Sequence, residues 1–287
     1  MQTSLSPETN KRLESAVERM PAFPKSVQKI LELSRNVNCT PKEIIEVIEK
    51  DPVMSIKVLK VINSAYFSLP YKITSLDRAV VYIGINTIKN LALSLAAVGI
   101  LPSKNEAGFD MDDYLQHSLI AAGIARQLAH RYAPGDIDPM DCYIVALLHD
   151  FGKVVLAQFM PEEFKAAIKL SNDTGKPLYL SETEILGVNH AVVGAMLVKR
   201  WNFSDDVVEA IRTHHEQAAD NLLTECLYLA DRIAKNASEV KITKATDTPA
   251  QGKAKRLGLT VERATALLGD LEFFVKEAEI VLQASVG

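Results

Sequence analysis

The chain has 287 residues, 48% of them hydrophobic and 24% charged, with a net charge of −4. That composition belongs to an ordinary globular protein, and the weak negative charge excludes general electrostatic attraction to nucleic acid or anionic lipid. Cys39, Cys142 and Cys226 are far apart and odd in number, which excludes a disulfide framework and fits a reducing cytoplasm.

The first twenty residues lack the apolar core of a signal peptide. Helix starts then recur with little between them. Ser6-Pro7-Glu8, Asp51-Pro52 and Asp138-Pro139 each set a capping residue before a proline, and Thr40-Pro41-Lys42-Glu43 adds a capping box. Asn63-Ser64-Ala65-Tyr66 reads either as a helix end with its turn or as a partner surface. Gly84 and Gly99 are helix stops. The apolar stretch Leu91 to Leu101 is too short to span a bilayer, so a buried helix and no membrane span are expected. A polar linker follows from Pro102 to Asp110.

A helix starting near Asp110 places His117 on the apolar stripe of Ile120, Ala121, Ile124 and Leu128, with His130 on another side. The next helix is predicted to run unbroken from Tyr143 to Phe159, carrying His149, Asp150 and Lys153 in one polar turn. Ser181-Glu182-Thr183-Glu184 reads as another capping box, and Gly175 and Gly187 as stops. His190 opens the next pattern. His214 and His215 follow Val207, Val208 and Ile211 at helical spacing, and Asp231 lies one turn after Leu227. A second linker runs from Ser238 to Gly258; its Lys241, Lys244, Lys253, Lys255 and Arg256 read as a solvated loop, since no aromatic residues interleave them. The tail from Thr260 to Ala284 holds two apolar stretches that pack back on the body. No alternating run predicts a sheet, so the fold class is all-α, with roughly a dozen helices. The expected divisions are 1–109, 110–237 and 238–287.

The inward-facing polar residues carry the chemistry. A buried unpaired carboxylate costs several kcal/mol at least, or protonates, so Asp150 needs a partner. An Asp150–Lys153 ion pair is one solution. A metal ion is the other, and Gly152 leaves room for another group to approach closely. Each histidine alone reads as an ordinary core residue. As a set on five helices, His117, His149, Asp150, His190, His214, His215 and Asp231 suit one or two divalent ions of iron, manganese or zinc, with an aspartate bridging two of them.

The order His117…His149-Asp150…Asp231 resembles the HD phosphohydrolase superfamily, all-α proteins in which those four positions bind metal. His190 and His214-His215 are similar to the fuller ligand set of its HD-GYP branch, which hydrolyses cyclic di-GMP. That resemblance implies Asp150 as the bridge between two metals and, through HDFGK, Lys153 as a contact to substrate phosphate. No Gly-Tyr-Pro follows His214-His215-Glu216, a departure from that branch; Asp113, one turn before His117, is a candidate for a further metal. The stretches Pro21 to Ser34 and Ile44 to Ala96, with GVNHAVVGAMLVKRW and VVEAIRTHHE, resemble the HDOD domain over about residues 15–235. HDOD domains are bacterial signalling modules, many without the HD ligands. The resemblance implies a regulatory module that keeps its metal site and binds a signalling protein or a small phosphorylated ligand. The alternative it implies is a phosphohydrolase or phosphodiesterase acting on a nucleotide or cyclic dinucleotide, with Asp150 and Lys153 as catalytic residues.

Overall fold

A computed structural model describes residues 7–36, 38–102, 105–216, 221–237 and 254–285. Among these the fold is all-α, as the helical spacing predicts: sixteen α-helices and one short 3-10 turn, with a lone bridge between Ala254 and Leu259 in place of any strand. The first six helices are α1 (Pro7–Arg19), α2 (Lys25–Ser34), α3 (Pro41–Glu49), α4 (Pro52–Ile62), α5 (Leu76–Ile83) and α6 (Ile85–Gly99). Then come α7 (Met111–Tyr132), α8 (Pro139–Leu148), α9 (Phe151–Phe159), α10 (Pro161–Thr174) and α11 (Leu178–Leu186). The last five are α12 (His190–Arg200), α13 (Asp205–Arg212), α14 (Leu222–Ala237), α15 (Val261–Leu268) and α16 (Glu272–Ser285).

The helices form two compact units that interleave along the chain: residues 1–22 with 102–269, and 23–101 with 270–287. These are not the linear divisions at 109 and 237. Helix α1 packs on α9 and α12, where Arg200 donates to the Met20 and Glu18 carbonyls and Trp201 Nε1 donates to the Pro21 carbonyl. The tail is shared out, α15 packing on α7 and α14, and α16 on α4 and α6.

The smaller unit is built on local signals. The capping box at Thr40 and Glu43 opens α3, and Asp51 caps α4 by accepting from the Met54 N–H. The Asn63 carboxamide accepts from the Ile73 N–H and donates to the Ile73 carbonyl, closing the loop after α4. Asn63 therefore organises its own loop within this unit.

In the larger unit α7, α8 and α14 pack together at the core. Two expectations fail here. The predicted helix from Tyr143 to Phe159 is two helices, broken at His149 and Asp150; Asp150 sits at φ −95°, ψ 4°, where the α8 hydrogen-bond ladder stops and α9 restarts. The Pro139–Phe159 stretch has the length and hydropathy of a membrane span, yet its apolar 18-residue window is 89% buried within the fold. The second failure is the capping box at Ser181. Helix α11 already begins at Leu178, behind Pro177, so Ser181 and Glu182 lie inside it and are fully buried. Most of the second linker, with Lys241, Lys244 and Lys253, lies outside the described residues, as do residues 1–6 and Gln217–Asp220. Its end is placed: the Glu225 carboxylate accepts from the Arg256 and Leu257 N–H groups, tying that turn to α14.

Candidate metal centre

The seven predicted metal ligands fall in the larger unit and come together in one place, with Lys153 bonded to one of them. Helix α7 supplies His117, the end of α8 His149, the start of α9 Asp150 and Lys153, the first turn of α12 His190, and α14 Asp231. His214 and His215 come from the turn after α13 rather than from the helix itself. All are buried except His215, which is half-buried; His117, His149, Asp150, His190, His214 and Asp231 are each no more than 2% exposed. His130 is exposed, as its place off the stripe requires. Asp113 belongs to none of the three metal-capable groups found among the described residues.

The convergence depends on one glycine. A Cβ on Gly152 would lie 1.9 Å from the His190 carbonyl oxygen and 2.8 Å from the Gly194 nitrogen. The backbones of α9 and α12 therefore touch at Gly152 and Gly194. That contact brings His190 alongside Asp150. The room left by Gly152 is thus filled by a helix of the same chain.

Asp150 stands between two sets of histidines. Its Oδ2 lies 3.3 Å from His149 Nε2 and 3.8 Å from His117 Nε2, and accepts from Lys153 Nζ at 2.5 Å. Its Oδ1 lies 3.1 Å from His190 Nε2 and 3.7 Å from His214 Nε2, and accepts no hydrogen bond from either. Asp231 Oδ1 lies 3.1 Å from His117 Nε2 and 3.4 Å from His149 Nε2, while its Oδ2 accepts from Lys235 at 2.9 Å. His215 Nε2 is 2.8 Å from His190 Nε2.

The imidazoles are aimed by their other nitrogens. Nδ1–H of His149 donates to the Ala146 carbonyl at 2.7 Å, and that of His214 to the Ile211 carbonyl at 2.6 Å. His190 Nδ1–H donates to Glu182 Oε2 at 2.6 Å. This tautomer, assigned from those bonds, turns three Nε2 lone pairs toward the Asp150 oxygens. Acceptor faces acceptor, and His214 Nε2 and Asp150 Oδ1 are buried without a partner. A cation between them satisfies both sides, so this donor set fits a metal. Three overlapping groups bring their ligand atoms close enough for an ion: His190–His214–His215, His117–His149–Asp231 and His149–Asp150–His214.

The electrostatics agree. Burial opposes the charge on Asp150, but His149 and Lys153 hold its carboxyl well below the usual range; Lys235 and His117 do the same for Asp231. Burial also opposes charge on His149, yet Asp150 and Asp231 raise it to about 9. His149 Nε2 therefore faces a negative well that would hold a proton or a cation. Burial lowers His117, takes His214 down to about 4, and with His214 and His190 pushes His215 well down, which leaves these rings neutral and able to ligate.

Lys153, expected to meet substrate phosphate, is bonded to Asp150 and only 6% exposed. Glu182 is the residue that sequence reasoning missed. Its signal was available: Leu178, Glu182 and Leu186 repeat every fourth residue, which puts an acid on the buried stripe of α11.

Comparison with known proteins follows the same lines. The HDOD domain profile matches residues 20–217. An uncharacterized protein of Treponema pallidum (strain Nichols) is 29% identical over 213 residues, 72% of this chain; the chain spans about 40% of that relative's length. A protein provisionally named a phosphohydrolase, from Shewanella amazonensis SB2B, is 26% identical, with a TM-score of 0.67 over 96% of this chain and 98% of its own. A provisionally named signal transduction protein from Marinobacter aquaeolei VT8 shares the fold at 24% identity, TM-score 0.76, over 97% of this chain and 65% of its own.

Proposed function

We propose a function from one premise: this chain belongs to the HDOD domain family. In this reading it is a signalling or regulatory module that keeps a two-position metal site and acts through binding a protein partner or small ligand. The observation that carries the metal claim is Asp150, whose two carboxylate oxygens face different histidine sets. His117, His149 and Asp231 would hold one ion, His190, His214 and His215 the other, with Asp150 between them. Iron, manganese or zinc suits this mix of imidazole and carboxylate.

Two features favour a structural or sensory metal over a catalytic one. The ligands are almost wholly buried, and the Lys153 ammonium is committed to Asp150 rather than turned toward a phosphate. The second reading, a metal-dependent phosphohydrolase acting on a nucleotide or cyclic dinucleotide, is supported by the complete ligand set and by the likeness to the Shewanella protein. Bound divalent ions would supply Lewis acidity toward a phosphoryl oxygen and make water more acidic. In that case Asp150 would orient the two positions, and Lys153 would have to leave it to bind phosphate.

Metal content of the purified chain and of His149→Ala tests the first reading. Expected is metal in the wild type and a loss in the variant; negligible metal in both removes the site. Protein loaded with iron, manganese or zinc is then offered cyclic dinucleotides, nucleotides and simple phosphodiesters. Intact substrates are expected, and turnover abolished by Asp150→Asn would establish the second reading in place of the first.

A further inference from the structure

We propose that α11, which supplies no ligand, controls one of the two metal positions through Glu182 and Tyr179, acting as positioning residues one turn apart. The proposal rests on the two-position metal reading above. Glu182 is fully buried. Its Oε2 accepts from both the His190 backbone N–H at 2.8 Å and the His190 Nδ1–H at 2.6 Å. A single oxygen thereby fixes the start of α12 and the plane and tautomer of its first side chain. Tyr179, three residues earlier, stacks on His215 with ring centroids 4.2 Å apart and planes 13° from parallel. Its ring sets the plane of the imidazole whose Nε2 meets His190 Nε2 at 2.8 Å.

The other imidazoles are held differently. His149 and His214 donate to carbonyls three residues back in their own segments, so whatever orders those segments orders the ligand. His117 Nε2 lies 3.1 Å from Asp231 Oδ1, itself a candidate ligand of the same group. His190 takes its orientation from another helix, and His215 stacks on a ring of that same helix. Two of the three ligands in the His190–His214–His215 group therefore depend on α11 staying in place. This helix is bounded by Pro177 and by Gly187 at φ 75°, and its Leu180 and Ile185 are 45% and 42% exposed. The two metal positions are thus unequal by construction. One is ordered by the central helices α7, α8 and α14, the other by a short helix with a partly exposed outer face.

The test titrates zinc and cobalt into chelator-treated full-length protein, against a competing chromophoric chelator, and records the visible cobalt absorption. Wild type is compared with Glu182→Gln, Glu182→Ala, Tyr179→Phe, Tyr179→Ala and, as a control, Leu180→Ala. Expected is a loss of about 10–100-fold in affinity at one position in Glu182→Ala, with the second position unchanged, because removing the group that orients a ligating histidine has that effect. Glu182→Gln keeps an oxygen acceptor and the side-chain shape, and should fall between. Tyr179→Ala should weaken the same position and perturb its cobalt spectrum. Tyr179→Phe, which keeps the stacking ring, and Leu180→Ala should match wild type. Wild-type affinity at both positions in Glu182→Gln and Glu182→Ala overturns the role of α11 while leaving the metal site intact, and so does equal weakening of both. A wild type that binds neither zinc nor cobalt overturns the metal reading, and this inference with it.

Discussion

At Asp150 packing and electrostatics can be separated, because the carboxylate has a charged neighbour of its own. Asp150→Asn keeps the shape and removes the charge. It should abolish binding at both metal positions, since one oxygen faces each. It should also destabilise the fold by about 3–5 kcal/mol, because Lys153 stays buried without its partner. Asp150→Asn combined with Lys153→Met removes both charges. Denaturation should then return toward the wild-type midpoint while metal content stays low. Metal binding by the double variant would show that Asp150 is not a ligand. At this scale the sequence was informative: His117 is legible from its stripe, and His190 from its helix start. Glu182 was hidden behind Ser181, which mimics a helix start inside α11. Capping patterns are local, and the group that Glu182 serves is eight residues away across a turn.

Among the elements, the crossing of α9 and α12 is the most sensitive joint. Gly152→Ala puts a methyl group against the His190 carbonyl and the Gly194 nitrogen, which are main-chain atoms that cannot rotate away. Overpacking of this kind costs about 1–3 kcal/mol, and a backbone collision belongs at the upper end or above it. The denaturation midpoint should fall, and metal content with it, because the helices must part where His190 meets Asp150; an unchanged midpoint would contradict the contact. Asp51→Ala is the counterpart in the smaller unit. It removes the bond to the Met54 N–H that caps α4, at a cost of about 1 kcal/mol, and should leave metal affinity untouched. Cap positions such as Thr40, Asp51 and Asp138 were readable because the bonds they make lie within three residues. The break between α8 and α9 was not, because the run from Tyr143 is apolar on nearly all sides up to His149-Asp150 and helical spacing carries on beyond that dipeptide, so the polar turn reads as part of one helix.

Across the whole molecule the two units should respond differently to chelation. Ligand binding stabilises the fold that makes the site, by about 2.7 kcal/mol when free metal is a hundred times Kd. All the candidate ligands lie in the unit of residues 102–269. Removing metal should speed amide exchange in α7, α12 and α14 and leave α3 to α6 unchanged, as read by segment-resolved hydrogen exchange. Uniform acceleration through both units would show that they do not respond separately. From residue order alone came the all-α class, the family, and the inward placing of His117, His149, His190 and His214, because helical period and residue chemistry are local properties of the chain. Only the tertiary structure decided that α1 packs with the histidine-bearing helices, that α16 returns to the smaller unit, that each Asp150 oxygen faces its own histidines, and that Glu182 stands behind His190. Those facts depend on which buried faces pair across long separations, and a periodic pattern says that a face is buried without saying against what.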